Sequence, residues 1–349
     1  MKIRPEYAEN RLLYNYLSRH HCGRLIRAID LFKSIASGAE ENLDYGNLHV
    51  LNEYAGVPIG LPILGRIQHG WVVRNRSETY YTNNFMSTFV WSTKSLNWAR
   101  DLGWRNFEAI GAPWLYLLEN LRSDGWIPDS LAGKLNSSID ELWIPGLHQV
   151  SIESGFDSNV SEFLSMASAS KAKIKVVLLS YIDFDRLPNN VRSLYPNLEI
   201  VTLGHRRGSS SSNSHLVRIF HLLMNSKKVI IDFPTSLALY AMSVGSQIEW
   251  LKNDPYEQGL RLCDKTQNLE LRAILVGEIQ DTDLLKKYSL KALGSENLKT
   301  PEEIRRLFRW DPYVRFKLVR LFHSVWIFLQ LPIRTFQTFK AKSKGDFRL

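Results

Sequence analysis

The chain has 349 residues, of which 44% are hydrophobic and 23% charged, and carries a formal net charge of +9. That length suits two domains of about 150 residues each, and the composition excludes wholesale disorder and a fibrous fold. The two cysteines, Cys22 and Cys263, form no CxxC pair and no cluster at zinc-ligand spacing, which excludes a disulfide framework or structural zinc site and points to a reducing compartment.

Residues 1–32 carry charges throughout and lack the apolar core, about 7–15 residues long, of a secretion signal, so export is not expected. Up to about residue 48 the chain reads as one or two helices, with Leu12, Leu13, Tyr16 and Leu17, then Leu25, Ile26, Ile29 and Leu31, at helical spacing. From there to about residue 140, short apolar runs alternate with turn residues: 57–64, 67–73, 88–91 and 107–110, then a helix over 114–121. Such alternation fits βα units. In the second half, 173–179 (KIKVVLL), 198–203 (LEIVTL) and 228–233 (KVIIDF) read as strands apolar on both faces, as in a parallel sheet. A helix over 214–225 carries Leu216, Ile219, Phe220 and Leu223 on one face. A small-residue helix over 235–244 stops at Gly245, and a fourth strand begins at Ile248. That succession is a βαβαβ half of a doubly wound sheet, whose carboxyl edge holds nucleotides.

Three local patterns carry chemistry. At IIDFPTSLALYAMSVG, residues 230–245, a buried strand runs into Thr235 and Ser236 at a helix start. There unpaired backbone N–H groups, the helix dipole and two hydroxyls make an anion site, although Thr235 acting as an ordinary N-cap explains the same residues. Gly204-His205-Arg206-Arg207-Gly208 follows the strand LEIVTL; it reads equally as a phosphate grip or as a solvated basic loop. In Gln68-His69-Gly70-Trp71, glycine permits close backbone approach and His69 is a potential general acid or base, with a structural histidine as the plainer reading; His148 has the same two readings.

The succession Gln68-His69-Gly70-Trp71, Val90-Trp91-Ser92 and Ile110-Gly111-Ala112-Pro113-Trp114-Leu115-Tyr116 resembles the N-terminal half of bacterial capsule and O-antigen glycosyltransferases. His148 after Ile144-Pro145 resembles the segment that opens their second domain. Thr235-Ser236 with Tyr240-Ala241 and Gly245 resembles their phosphate-binding helix, akin to the Ser-Ser motif of bacterial sialyl- and Kdo-transferases. The resemblance covers about residues 65–250, with two departures: Gln149 stands where serine is usual, and Arg206 follows His205 where the sialyltransferase motif has proline. It implies an α/β fold of GT-B type, two Rossmann-like domains facing across a cleft, with residues 1–145 on the acceptor side, 146–300 binding a nucleotide sugar, and 301–349 a basic amphipathic tail. It further implies transfer of a sugar to a saccharide or lipid-linked acceptor in capsule, O-antigen or lipopolysaccharide synthesis, without a separate cofactor. Donor contacts fall to His148, His205, Arg206, Thr235, Ser236 and Glu249, the last toward the ribose. The catalytic base falls to His69, Glu53 or Glu78, which the sequence does not separate. No obligatory metal is implied; Asp183 and Asp185 have DxD spacing but read better as strand-end caps.

Residues 301–349 hold eleven Lys/Arg against four Asp/Glu. Within them Leu318, Leu321, Phe322, Val325 and Leu329 share a helical face beside Arg315, Lys317 and Arg320, suiting a helix that lies on an anionic membrane. A helix packing back on the first domain is the other reading. The longest apolar run there, 325–333, is too short to span a bilayer. The expectation is a cytoplasmic protein held peripherally at the inner face of the membrane. Rival readings are a pyruvyltransferase-like enzyme sharing the two-lobed fold, and a non-catalytic basic protein binding membrane or nucleic acid. Against nucleic acid, the basic residues cluster with apolar ones and no nucleic-acid module is recognisable.

Overall fold

The computed structural model describes residues 42–59, 61–63, 65–71, 87–101, 103, 105–125, 138–146, 156–185, 187–188, 190–204, 215–266 and 268–310. The helical reading of residues 1–41, the tail beyond 310, and the candidates Glu78, His148, His205 and Arg206 lie outside these.

Two parallel sheets organise the described chain. The first has three strands in the order β1-β2-β3: β1 (Gly65–Ile67), β2 (Ser87–Val90) and β3 (Phe107–Ala109). The second has five: β4 (Ile139–Ile144), β5 (Lys175–Leu179), β6 (Glu199–Thr202), β7 (Ser226–Ile231) and β8 (Gln247–Trp250). Their spatial order, β6-β5-β4-β7-β8 with every pair parallel, is the 3-2-1-4-5 order of a doubly wound sheet. The interior strand β5 is buried in all five residues, as parallel strands covered on both faces are.

The helices expected over 114–121, 214–225 and 235–244 are present, among others. In the first half these are α1 (Asn47–Tyr54), α2 (Thr93–Asp101) and α3 (Pro113–Ser123); α3 begins with proline at its first turn. The second half adds α4 (Phe156–Ala169), short α5 (Tyr181–Asp185) and α6 (Val191–Leu194), then α7 (His215–Met224) and α8 (Ser236–Ser243). Leu216, Ile219, Phe220 and Leu223 of α7 are all buried, as their shared face requires. Last come α9 (Asp254–Thr266), α10 (Leu269–Leu275), α11 (Thr282–Ala292) and α12 (Pro301–Leu307), the last opened by a Thr300–Glu303 capping box.

The run expected over 67–73 is a strand two residues earlier: β1 ends at Ile67 and Gln68 opens a turn. Asn42 substitutes for a neighbouring strand at this edge, its amide donating to the Gly65 carbonyl at 2.8 Å and its oxygen accepting from the Ile67 N–H at 2.7 Å.

One apolar cluster runs through both sheets, from Leu43 to Trp310. Trp114 of α3 stacks on Tyr240 of α8 with centroids 4.5 Å apart, and its indole N–H donates to Ser243 Oγ at 2.8 Å. After α11 the chain returns to the first sheet. Phe308 meets Phe89 of β2 edge-on at 4.7 Å, Trp310 Nε1 donates to the Pro62 carbonyl at 3.0 Å, and Arg305 donates to the Ala55 carbonyl at 2.8 Å. No helix among the described residues is long and apolar enough to cross a membrane.

Candidate functional site

In a doubly wound sheet, ligands bind beyond the carboxyl ends of the strands where the winding reverses. Here that point lies between β4 and β7. It is tightly built: Asp232, just past β7 and fully buried, accepts from the Gly146 N–H at 2.6 Å through one carboxylate oxygen and from Asn253 Nδ2 at 3.3 Å through the other. Burial pushes the Asp232 carboxyl above its ordinary range, and these two hydrogen bonds oppose the shift. Gly146 has no alternative, since a Cβ there would stand 2.3 Å from the Phe233 Cβ.

From Asp232 the chain runs through Phe233 and Pro234 to Thr235, the N-cap of α8. The simple capping expectation for Thr235 is not met. Its backbone is extended as a cap's should be, but its side chain makes no capping bond. Its hydroxyl is buried, with the residue 9% exposed and Oγ1 without a hydrogen-bond partner among the described residues. A buried hydroxyl left unpaired costs about 1–3 kcal/mol, so such a group marks a place where a ligand atom or water belongs. Beside it the first N–H groups of α8 have no intrahelical acceptor, and the helix dipole is positive.

Ser236 ties this helix start to the first sheet. Its Oγ accepts from the Trp71 N–H at 2.9 Å, across 165 residues of sequence, leaving the hydroxyl proton to be donated elsewhere. The turn that brings Trp71 there is held by Gln68, which is buried. Gln68 Oε1 accepts from the Trp91 N–H at 2.9 Å, and Nε2 donates to the Gly70 carbonyl at 2.8 Å. The Gln-His-Gly-Trp turn at the carboxyl end of β1 thus abuts the Thr-Ser helix start at the carboxyl edge of the second sheet.

His69, on that turn, is 42% exposed and places Nδ1 3.3 Å from Oδ2 of Asp44, a carboxylate only 1% exposed. An Nδ1–H held by Asp44 leaves Nε2 as the basic nitrogen. Tyr45, in the 3-10 turn of Asp44–Gly46, has a φ of 60°, a strained backbone for a bulky side chain. It sets its ring 5.0 Å from His69 and 4.9 Å from His215, at the start of α7. His215 is 6% exposed, its Nδ1 lacks a hydrogen-bond partner among the described residues, and burial, helped by Arg218, lowers its pKa to about 4. At neutral pH it is an uncharged imidazole.

The expected residues are therefore brought together in part. The turn that bears His69 meets the helix start that bears Thr235 and Ser236 through the Trp71–Ser236 hydrogen bond. Glu53 lies in the last turn of α1, about 9 Å along the helix axis from its first residue. Glu249 sits within edge strand β8 with its carboxylate 2.7 Å from Lys228 Nζ, an ion pair on the sheet surface. Asp183, expected as a strand-end cap, stands instead in the first turn of α5, where Ser180 Oγ accepts from its N–H at 3.2 Å and donates to its Oδ2 at 2.7 Å. Asp44 and His215 were not legible as site residues: an isolated Asp before a Tyr-Gly turn and a His on an apolar helix give no pattern to read.

The second sheet has the strand order of a doubly wound α/β fold, and the start of α8 lies at its switch point. No protein-family model matches the chain, and no curated protein matches it. Among solved structures, one of the wall teichoic acid polymerase TagF is similar with a TM-score of 0.35 and 14% sequence identity, over 64% of this chain and 57% of that one. A likeness that loose defines neither fold nor chemistry, which rest on strand order and site geometry.

Proposed function

We propose that the chain is a surface-polysaccharide glycosyltransferase of GT-B type, moving a sugar from a nucleotide donor to a saccharide or lipid-linked acceptor. The observation that carries this reading is the Trp71–Ser236 hydrogen bond. It sets a helix N-terminus and a buried hydroxyl without a partner among the described residues, which suit a leaving phosphate, against the turn bearing a histidine backed by a buried carboxylate, which suits a base.

In the proposed reaction, His69 Nε2 removes the proton from an acceptor hydroxyl while Asp44 holds Nδ1–H and stabilises the imidazolium. The acceptor oxygen bonds to the anomeric carbon as the bond from that carbon to the phosphate oxygen breaks. The charge released on the phosphate is met by the start of α8, the hydroxyls of Thr235 and Ser236, and neutral His215. Such a site needs no obligatory metal. His148, His205 and Arg206 are assigned to the donor as further phosphate or base contacts, Glu249 to the ribose, and Glu53 and Glu78 stand behind His69 as alternative bases. The acceptor side is assigned to residues 1–138 and the donor side to 139–300, because β4, expected within a first domain of residues 1–145, pairs with β5 and β7 of the second sheet. Residues 301–349 include the segment proposed to lie on the anionic inner face of the membrane.

The test is thermal unfolding of the purified protein with CMP, UDP, GDP and dTDP, in the wild type and in Ser236→Ala. A ligand at 100 times its Kd adds about 2.7 kcal/mol to the folded state. One nucleotide should raise Tm, and Ser236→Ala should weaken its binding about 10-fold or more, the value of a hydrogen bond to a charged group. If none of the four raises Tm, the reading falls, and liposome or DNA binding by the same protein would put a binding role in its place.

A further inference from the structure

A cavity of about 450 Å3, lined in part by Trp71, opens between α2 and the helices α10 and α11. Its size lies within the range of small-molecule sites, about 300–1,000 Å3. We propose that this cavity binds a neutral pyranose unit of the acceptor, stacked on the indole of Trp98 and bounded by Trp71. The proposal rests on the glycosyltransferase reading for the word acceptor; the saccharide site itself rests on the cavity.

The lining decides the chemistry. Trp98 and Trp71 are half-buried and both line the cavity, Trp71 also packing against the main apolar cluster. An indole face matches the apolar C–H face of a sugar ring, while the ring's hydroxyls need polar partners around the rim. Those partners are present in both kinds: Lys94 and Lys291 donate, and Asp101, Glu270 and Glu296 accept. With three carboxylates against two ammonium groups the cavity carries no surplus positive charge, which disfavours a phosphate or nucleotide and leaves a neutral polyol as the best match.

The walls are braced. Lys94 Nζ lies 5.1 Å from the Trp98 ring centroid, a cation–π contact that orients the indole. Thr93 Oγ1 donates to Glu296 Oε1 at 3.2 Å, closing α2 against the turn after α11, and Lys291 pairs with Glu270 at 3.9 Å. Desolvation lowers the Lys94 pKa, although the residue stays exposed at the rim of the cavity. Because the Trp71 side chain lines this cavity while its N–H bonds Ser236, the cavity and the anion site share one residue. A saccharide here lies next to the turn bearing His69.

The experiment is saturation-transfer NMR on the full chain with the methyl glycosides of glucose, galactose, N-acetylglucosamine and rhamnose, and with inorganic phosphate as competitor. At least one glycoside should show transfer, Trp98→Ala should reduce it at least 5-fold, and Glu296→Gln should weaken it while keeping side-chain shape; phosphate should not compete. No transfer to any glycoside, transfer unchanged in Trp98→Ala, or displacement by phosphate would overturn the proposal. Circular dichroism of both variants identifies any loss of fold, and Glu296, being exposed, supplies the second reading if Trp98→Ala does not fold. The nucleotide Tm shift on the same samples separates the two ideas. Nucleotide binding without glycoside binding removes this site alone, and glycoside binding without nucleotide binding keeps the saccharide site and removes the transfer reaction.

Discussion

Replacing Gly146 by alanine tests whether the switch point is as tightly built as the structure makes it. The added Cβ would meet the Phe233 Cβ at 2.3 Å, the Phe233 Cγ at 3.1 Å and Asp232 Oδ1 at 3.2 Å. The nearest of these atoms is fixed to the backbone, so no rotamer change relieves the clash. Overpacking of this kind costs about 1–3 kcal/mol. Moving Gly146 away to relieve it stretches the 2.6 Å hydrogen bond to Asp232, and a bond to a charged acceptor contributes about 1.5–3 kcal/mol. The expected loss is therefore about 3–5 kcal/mol. Urea unfolding followed by circular dichroism reads it as a lower midpoint with an unchanged slope. A loss below about 1 kcal/mol would mean that β4 and β7 do not converge as described, and the placement of the anion site at their ends would fall with it.

His215 takes its proton near its ordinary pKa of 6.5 when unfolded but only near pH 4 when folded. The unfolded chain therefore binds more protons between those values, and stability present above pH 6.5 is lost as pH falls toward 4, by about 3 kcal/mol at 1.36 kcal/mol per tenfold change in proton affinity. Buried His49, lowered to about 3, acts in the same direction, so His215→Gln should flatten the pH dependence of the urea midpoint without abolishing it. Trp310→Ala should cost about 3–5 kcal/mol, as other buried tryptophan truncations do, because it empties the packing of the returning chain on the first sheet and removes the hydrogen bond to Pro62; calorimetry would expose an unchanged Tm as a refutation.

The second sheet was largely legible because three of its strands read as unbroken apolar runs, and the helices α7 and α8 lie where spacing and Gly245 put them. The middle strand was not. β4 reads Ile-Asp-Glu-Leu-Trp-Ile, and its acidic pair looks like a turn until one sees Asp140 paired with Lys227 and Glu141 beside Lys228 on β7. Those lysines, with the Lys173 and Ile174 N–H groups on Asp140 and Ser170 and Trp143 on Glu141, satisfy carboxylates that the local sequence leaves without partners. The site divides in the same way. Thr235 and Ser236 were readable because a helix start after a buried strand has local chemistry, and the Gln-His-Gly-Trp turn was readable as a place of close backbone approach. Their meeting, and the roles of Asp44 and His215, depend on contacts between distant segments that no local spacing encodes.

The side chain of Asn42 has a consequence for how this protein behaves in crowded solution. A parallel sheet with an open margin offers its unused N–H and C=O groups to any passing extended chain. Among the described residues, the margin at β1 is met by the Asn42 amide, which supplies one donor and one acceptor at the spacing a neighbouring strand would use. The smaller sheet thereby gains protection against growth by addition at no cost in length, and Asn42→Leu, which preserves bulk but neither hydrogen bond, would reopen that margin.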